Sequence, residues 1–295
     1  MNLPKQGFQG KSSEMEKIKK HKSNKSNEYQ ISIISFFDIL GFGEKVDKSK
    51  TPEVIKGILE TLQYREKPDK DLAKLYGQSF INFSDTAIRI TNILNDINKI
   101  RPYGLLFWEL LDLIYIQFDL IREKNIFLRG SVTVDYIYHD KNLIFGPGLN
   151  RAYRLEKNIA IYPIIVIDPR IFYVLEKTPV LKKQNHKTEE EKVYIKDLVR
   201  ESGDGVWFLD YLKAMYKEID EPLDYGKFLN HHKKLIVEYA KKFKELDVIA
   251  HKYNWLARYH NEIVRSFGKR DFVEFGFSQK ELLITKAEVK TYYEF

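Results

Sequence analysis

The 295-residue chain contains no cysteine, which excludes disulfides and thiolate metal sites together. That fits a reducing compartment, and the cytoplasm is the expected location. Long apolar runs are lacking as well. The richest stretch, LLFWELLDLIYIQFDLI at 105–121, carries Glu109, Asp112 and Asp119. It is too short and too charged to span a bilayer, so no membrane partner is expected. The first residues are polar and lysine-rich and lack the apolar segment of a secretory signal. A broad basic surface is missing too. The net charge is +7, yet residues 1–28 alone hold seven lysines against three glutamates. More than half of the charge therefore sits in a segment without apolar periodicity, expected to be a disordered basic tail, and nucleic acid is not an expected partner.

What remains is rich in core-forming residues: 43% of the chain is hydrophobic and 14% aromatic, enough for a sizeable interior. ISIISFFDI, from Ile31, reads as a strand buried on both faces and ends in a Gly41-Phe42-Gly43 turn. Thr51-Pro52-Glu53 opens a helix to about Tyr64. SFINFSDTAIRIT (79–91) alternates on both sides of Ser84-Asp85, the pattern of a hairpin. A long helix over 103–123 follows, whose aromatic stripe (Phe107, Trp108, Leu111, Tyr115, Phe118) suits core packing. FLRGSVTVDYIYHD (127–140) is a strand paired near 143–146. Gly146-Pro147-Gly148 leads into a helix, and YPIIVID (162–168) is another buried strand. Strands and helices interleave with at least two hairpins, so the fold class is α+β, a mixed sheet with helices packed on it. After about residue 178 the pattern becomes mostly helical from Val206 to Phe267, closing in a strand-like ELLITKAEV. His231-His232 lie in a lysine-rich helix and are expected to face solvent. Adjacent residues on a helix point apart, which argues against joint metal binding.

Three patches can carry chemistry. Asp38 ends an apolar strand, Asp85 sits at a hairpin turn, and Asn150 and Arg154 are four apart and share a helix face. Taken singly, Asp38 also suits a capping residue, Asp85 a turn residue and Arg154 a solvated charge. Two aspartates at neighbouring strand ends would make an all-oxygen site for Mg²⁺ or Mn²⁺. The backbone N–H groups of residues 39–43 (Ile39, Leu40, Gly41, Phe42, Gly43) could cradle phosphate.

Together and in this order the patches resemble the class III nucleotide cyclase catalytic domain over roughly residues 30–175. The resembling stretches are Phe36-Phe37-Asp38-Ile39-Leu40-Gly41-Phe42, the hairpin Ser84-Asp85, and Gly146, Asn150, Ala152 and Arg154-Leu155-Glu156. The resemblance implies a mainly antiparallel mixed sheet in a catalytic domain at 29–178, with a helical extension at 179–295 packing on it. It implies two Mg²⁺ or Mn²⁺ ions held by Asp38, Asp85 and the Ile39 carbonyl, a triphosphate over residues 39–43, Asn150 at the ribose and Arg154 at the transition state. It also implies a homodimer whose sites lie at the interface, with the metals on one subunit and the Asn and Arg on the other. The implied reaction is attack of the 3′-hydroxyl of an NTP on its α-phosphorus, forming a 3′,5′-cyclic NMP and releasing pyrophosphate. The pattern departs at the base-reading positions. Ile81 stands where adenylate cyclases carry Lys, and Leu143 where they carry Asp or Thr. An apolar pair offers a purine edge no hydrogen bonds.

The overall order is most similar to the pyrimidine cyclases of the Pycsar antiphage system. The shared features are Asp38–Phe42, Phe83–Asp85, Arg129-Gly130 and Phe145–Pro147. That similarity implies cyclic UMP or cyclic CMP made from UTP or CTP, with a phage-derived activator. The alternatives are a purine cyclase, or a non-catalytic nucleotide or phage-component sensor on the same fold.

Overall fold

The computed structural model describes residues 28–63, 77–93, 103–140, 143–183 and 185–289. The basic segment expected to be disordered lies almost wholly outside them. At the centre is β1 (Gln30–Ile39), paired antiparallel to β3 (Thr86–Asn92) on one side and to β4 (Leu128–His139) on the other. β2 (Gln78–Phe83) forms the hairpin with β3, and the short β5 (Ile144–Phe145) pairs with the end of β4. β6 (Ile165–Ile167) runs parallel to β4. The sheet continues through β8 (Trp207–Leu209) to β7 (Val199–Glu201), both antiparallel, in the order β2-β3-β1-β4-β6-β8-β7. It is a mixed, mainly antiparallel sheet flanked by helices, with a helical C-terminal part.

The period-2 alternation of β1 sorts its side chains to two faces. Ile33, Phe37 and Ile39 point into the larger core. There they meet Ile58 and Leu62 of α2 (Pro52–Gln63) and Leu106, Leu110 and Leu113 of α3 (Leu105–Asp119). Ile34 and Phe36 point to the other face and pack with Ile90, Ile137 and Ala152. Asp38 follows in the same parity and lies on that second face. The charges that disqualify 105–121 as a membrane span have a structural use. Buried Glu109 accepts a 2.8 Å hydrogen bond from Thr91 and pairs at 3.0 Å with buried Arg89, which also meets Asp112. No helix among the described residues is long and apolar enough to cross a membrane.

After α5 (Arg170–Lys177) and α6 (Thr188–Leu198) come two strands of three residues each: β7 precedes the stretch from Val206 to Phe267 expected to be helical, and β8 interrupts its start. Then come α7 (Tyr211–Glu218), α8 (Pro222–Lys242), α9 (Asp247–Arg265), α10 (Lys269–Phe275) and α11 (Gln279–Leu282). The strand expected at ELLITKAEV is absent. Ser278 and Glu281 form a capping box that starts α11 there. Ile284 then bonds its backbone N–H and C=O to the side chain of Asn261 rather than to a strand.

The expectation that His231-His232 face solvent is corrected. His232 is fully buried, hydrogen-bonded to Tyr211 Oη at 2.7 Å and, through Nδ1, to His260 at 3.0 Å. His260 bonds onward to the carbonyl of Leu282. His231 reaches the Ile121 carbonyl at 3.1 Å. The lysines flanking the pair describe the solvent side of α8, whereas His231 faces the turn that follows α3 and His232 faces α7 and α9. The aromatic stripe of α3 packs as expected, with Phe118 against Phe228 at 4.5 Å.

Candidate active site

β1 ends at Ile39 because Gly41 takes a left-handed conformation (φ 72) and turns the chain into α1 (Phe42–Lys48). Asp38 is thereby held at the next-to-last position of a strand paired on both sides. Across β3 its register partner is Thr86, directly after the two-residue turn Ser84-Asp85, in which Ser84 has φ 56. The Ile39 N–H donates to the Asp85 carbonyl at 3.0 Å. A strand residue's N–H and C=O face the same neighbour, so the Ile39 carbonyl also faces the Asp85 turn. Asp38, Asp85 and the Ile39 carbonyl are thus gathered at one corner of the sheet.

Across β4 the register partner of Asp38 is Arg129. Its guanidinium donates to Oδ2 of Asp38 from Nε at 3.1 Å and from Nη2 at 2.6 Å. The same Nη2 lies 2.6 Å from Oε1 of Glu156, at an angle that makes the contact one of charge rather than an aligned hydrogen bond. Burial pushes the Glu156 carboxyl above the usual carboxylate range against the pull of Arg129. The negative charges of Asp38 and Asp85 push in the same direction as burial.

Glu156 belongs to α4 (Pro147–Asn158), which lies across the second face of the sheet. Close docking needs a small residue at its start: a Cβ on Gly148 would stand 2.3 Å from Ile34 Cδ1 and 3.0 Å from the Tyr136 carbonyl. Ser131 Oγ donates to the Ala152 carbonyl at 2.7 Å, fixing the helix along β4. Arg151 grips Asp168 with two hydrogen bonds, at 2.9 and 3.0 Å. Asp168 is fully buried, and burial alone would raise its carboxyl. The bonds from Arg151, Thr133 and Arg170 bring it below the usual range instead. With Gly148, Ala152, Leu155 and Glu156 turned inward, Asn150, Tyr153 and Arg154 are left exposed. Neither the Asn150 nor the Arg154 side chain has a hydrogen bond or ion pair among the described residues, and Arg154 does not pair with Asp38 or Asp85 of its own chain.

The expected phosphate cradle over 39–43 narrows. The N–H of Ile39 is used by Asp85 and that of Leu40 by the Phe127 carbonyl at 3.2 Å. The amides of Phe42 and Gly43, in the first turn of α1, have no intrahelical acceptor. Of the two base-reading positions, Ile81 on β2 is partly buried against the second core and Leu143 is 58% exposed in the β4–β5 turn. Two carboxylates and a carbonyl form a hard donor set that fits Mg²⁺ or Mn²⁺, whose remaining positions go to water and phosphate oxygens. Among the described residues no group of three or more His, Cys, Asp or Glu could hold a metal ion, so protein ligands alone would not saturate one. The sequence showed Arg129 and Glu156 only as members of motifs. Their meeting depends on strand register and helix docking, which no local pattern encodes.

No family model matches the chain, and no curated protein does. Among solved structures it is similar to a bacterial light-regulated adenylyl cyclase (15% identity, 48% of this chain, 76% of that one, TM-score 0.33). It is also similar to the catalytic core of a rhodopsin-guanylyl cyclase with converted specificity in complex with ATPαS (16% identity, 61% of this chain, 96% of that one, TM-score 0.32). A second structure of a bacterial light-regulated adenylyl cyclase matches at 13% identity over 66% of this chain and 71% of that one, with a TM-score of 0.33.

Proposed function

We propose that the chain is a metal-dependent nucleotide cyclase that converts an NTP to a 3′,5′-cyclic NMP and pyrophosphate. The observation that carries this reading is the gathering of Asp38, Asp85 and the Ile39 carbonyl at one sheet corner, on the face over which α4 presents unpartnered Asn150 and Arg154. Divalent ions, when bound, would activate the 3′-hydroxyl and hold the phosphates. The protein's part is positioning and charge. Asp38 and Asp85 offer anionic oxygen, Phe42 and Gly43 offer amides to phosphate, and Arg154 neutralises charge developing on the transferred phosphorus. Arg154 does not meet the aspartates of its own chain, which supports delivery from a second subunit. Exposed Phe83 and Tyr153 on the same side, 84% and 45% accessible, supply apolar surface for such a homodimer.

UTP or CTP is the proposed substrate. Ile81 and Leu143 offer a purine edge no hydrogen-bonding partner, and the choice of a pyrimidine rests on the resemblance to the pyrimidine cyclases. The proposed role is a cyclic UMP or cyclic CMP signal in antiphage defence, with a phage-derived activator. The pairing of Asp38 with Arg129 favours one second reading, a nucleotide sensor that needs no metal. Incubating the full chain with ATP, GTP, CTP and UTP separately in Mn²⁺, and identifying products by mass spectrometry, decides between them. Cyclic UMP or cyclic CMP supports the reading, a cyclic purine product revises the base, and nucleotide binding without turnover replaces the enzyme by the sensor.

A further inference from the structure

β8 and β7 extend the sheet beyond β6, and the turn that joins them leaves a cleft against α9. The α9 residues that line it, Trp255, Arg258, Tyr259 and Glu262, stand at i, i+3, i+4 and i+7 and so share one helix face. Opposite them are Arg200 of β7, Phe208 of β8 and the turn through Asp204. The cleft has a volume of about 380 Å³, within the range of small-molecule sites. It lies three strand steps from Asp38, through β4 and β6 to β8, about 15 Å at ordinary strand spacing. It shares no residue with the Asp38–Asp85 corner.

One wall is aromatic. Tyr162 stacks on Trp255 at 5.0 Å with the ring planes 13° apart, Tyr259 lies 5.5 Å from Trp255, and Phe208 meets Trp255 edge-on at 5.5 Å. Such a surface suits a flat ring. The charges are unevenly placed. Arg258 is half-buried, and its guanidinium has no hydrogen bond or ion pair among the described residues. Glu262, one helical turn further on, would be its ordinary partner. That carboxylate is committed instead to Arg200 at 3.0 Å, while Arg200 also bonds Asp210 at 2.8 Å and lies over the Tyr259 ring at 5.5 Å. A half-buried guanidinium left in this way is a seat for one anionic group. The acids of the cleft, Glu201, Asp204 and Glu262, are all exposed. They oppose a polyanion and can accept hydrogen bonds from N–H donors.

We propose that this cleft binds a 3′,5′-cyclic mononucleotide, with its phosphodiester on Arg258, its base against the Tyr162–Trp255 wall and the base N–H groups on the exposed carboxylates. A cyclic phosphodiester carries a single negative charge, which matches the one arginine of the cleft that has no partner. A triphosphate carries several and would meet the acids as well. The cleft and its free cation are independent of the cyclase reading; the choice of a cyclic nucleotide as occupant rests on that reading, since it is the product. The protein would thus hold its product at a place remote from the chemistry.

The test titrates the full chain by calorimetry with cyclic CMP, cyclic UMP, cyclic AMP and cyclic GMP, and with the corresponding nucleosides as neutral controls. EDTA is present, so that no divalent ion supports binding at the Asp38–Asp85 corner. At least one cyclic nucleotide should saturate wild type, and its nucleoside should bind about tenfold more weakly or worse. Arg258→Gln should lose about tenfold or more in affinity for the cyclic nucleotide, and Arg258→Lys should lose less. Glu262→Gln removes an acid and releases Arg200, so it should bind more tightly. Opposite shifts in these two variants are not what a merely structural role would produce. The proposal is overturned if no cyclic nucleotide binds wild type, if nucleosides bind equally well, or if a folded Arg258→Gln protein binds as wild type does. Should Arg258→Gln unfold, Glu262→Gln decides, and an unchanged or weaker affinity there overturns the proposal. Turnover of NTPs in Mn²⁺ is measured separately: if there is none, the cyclase reading fails, and the titration still decides whether the cleft receives cyclic nucleotides.

Discussion

Asp38 and Arg129 sit opposite each other across the β1–β4 pair, and the guanidinium places both of its hydrogen bonds on a single carboxylate oxygen, Oδ2. The other oxygen, Oδ1, is free of the arginine. The pair is four-fifths buried on the Asp38 side, where removing one partner of an ion pair costs more than the pair contributes.

Asp38→Asn should therefore cost activity far more than fold. The amide keeps the shape and can still accept one hydrogen bond from Arg129, but it lacks the anionic oxygen that a divalent cation needs. Cyclic nucleotide production should fall by about 10²-fold or more, with the thermal midpoint within a few degrees. Retained activity in a folded Asp38→Asn protein would remove Asp38 from the metal set.

Arg154→Ala and Asp38→Ala should each be inactive alone and partly active when mixed. Random exchange makes about half of the dimers mixed, each with one complete site, so recovery should approach about a quarter of wild-type activity. Steady-state assay of equimolar mixtures after incubation measures it. No recovery, with exchange verified by differently tagged subunits, argues that Arg154 acts within its own chain or not at all.

Gly148→Ala should loosen the whole second face. The added Cβ meets Ile34 Cδ1 and the Tyr136 carbonyl, so α4 must lift and carry Asn150 and Arg154 with it. A loss of about 1–3 kcal/mol in denaturant unfolding is expected, together with a fall in activity larger than that of an exposed control such as Lys157→Ala.

Acid should destabilise the C-terminal part through its paired histidines. His260 is lowered by burial to about 4 and His232 well below its usual range, so both are neutral when folded and take protons on unfolding. The stability they support is complete above the ordinary histidine pKa near 6.5 and is lost as pH falls from there toward 4. Each contributes a slope of about 1.4 kcal/mol per pH unit in that window. Melting curves from pH 8 to pH 5 should show the decline, and His260→Gln should flatten it.

The parts of the fold legible in the sequence were those with a strong local period. β1, the Ser84-Asp85 hairpin, β4 and the Pro147 helix all announce themselves by alternation or by turn residues. Asp38 and Asp85 were readable because each closes such an element. Arg129 and Glu156 sit in the same motifs, yet their joint grip on Asp38 arises only from register and docking. His232 was misread because lysines on the solvent side of α8 masked the buried stripe. β7 and β8 escaped because three residues cannot display a period.

Those two short strands have a consequence for how the protein can be divided. β6 is only three residues long, and its side away from β4 is occupied at Val166 by Phe208 of β8. A chain ended near residue 178 would keep Asp38, Asp85, Asn150 and Arg154, yet it would present β6 as an uncovered, apolar sheet edge with unpaired N–H and C=O groups. Such edges recruit other strands, so the shortened protein should leave solution by self-association, and its inactivity would say nothing about the catalytic residues it still contains.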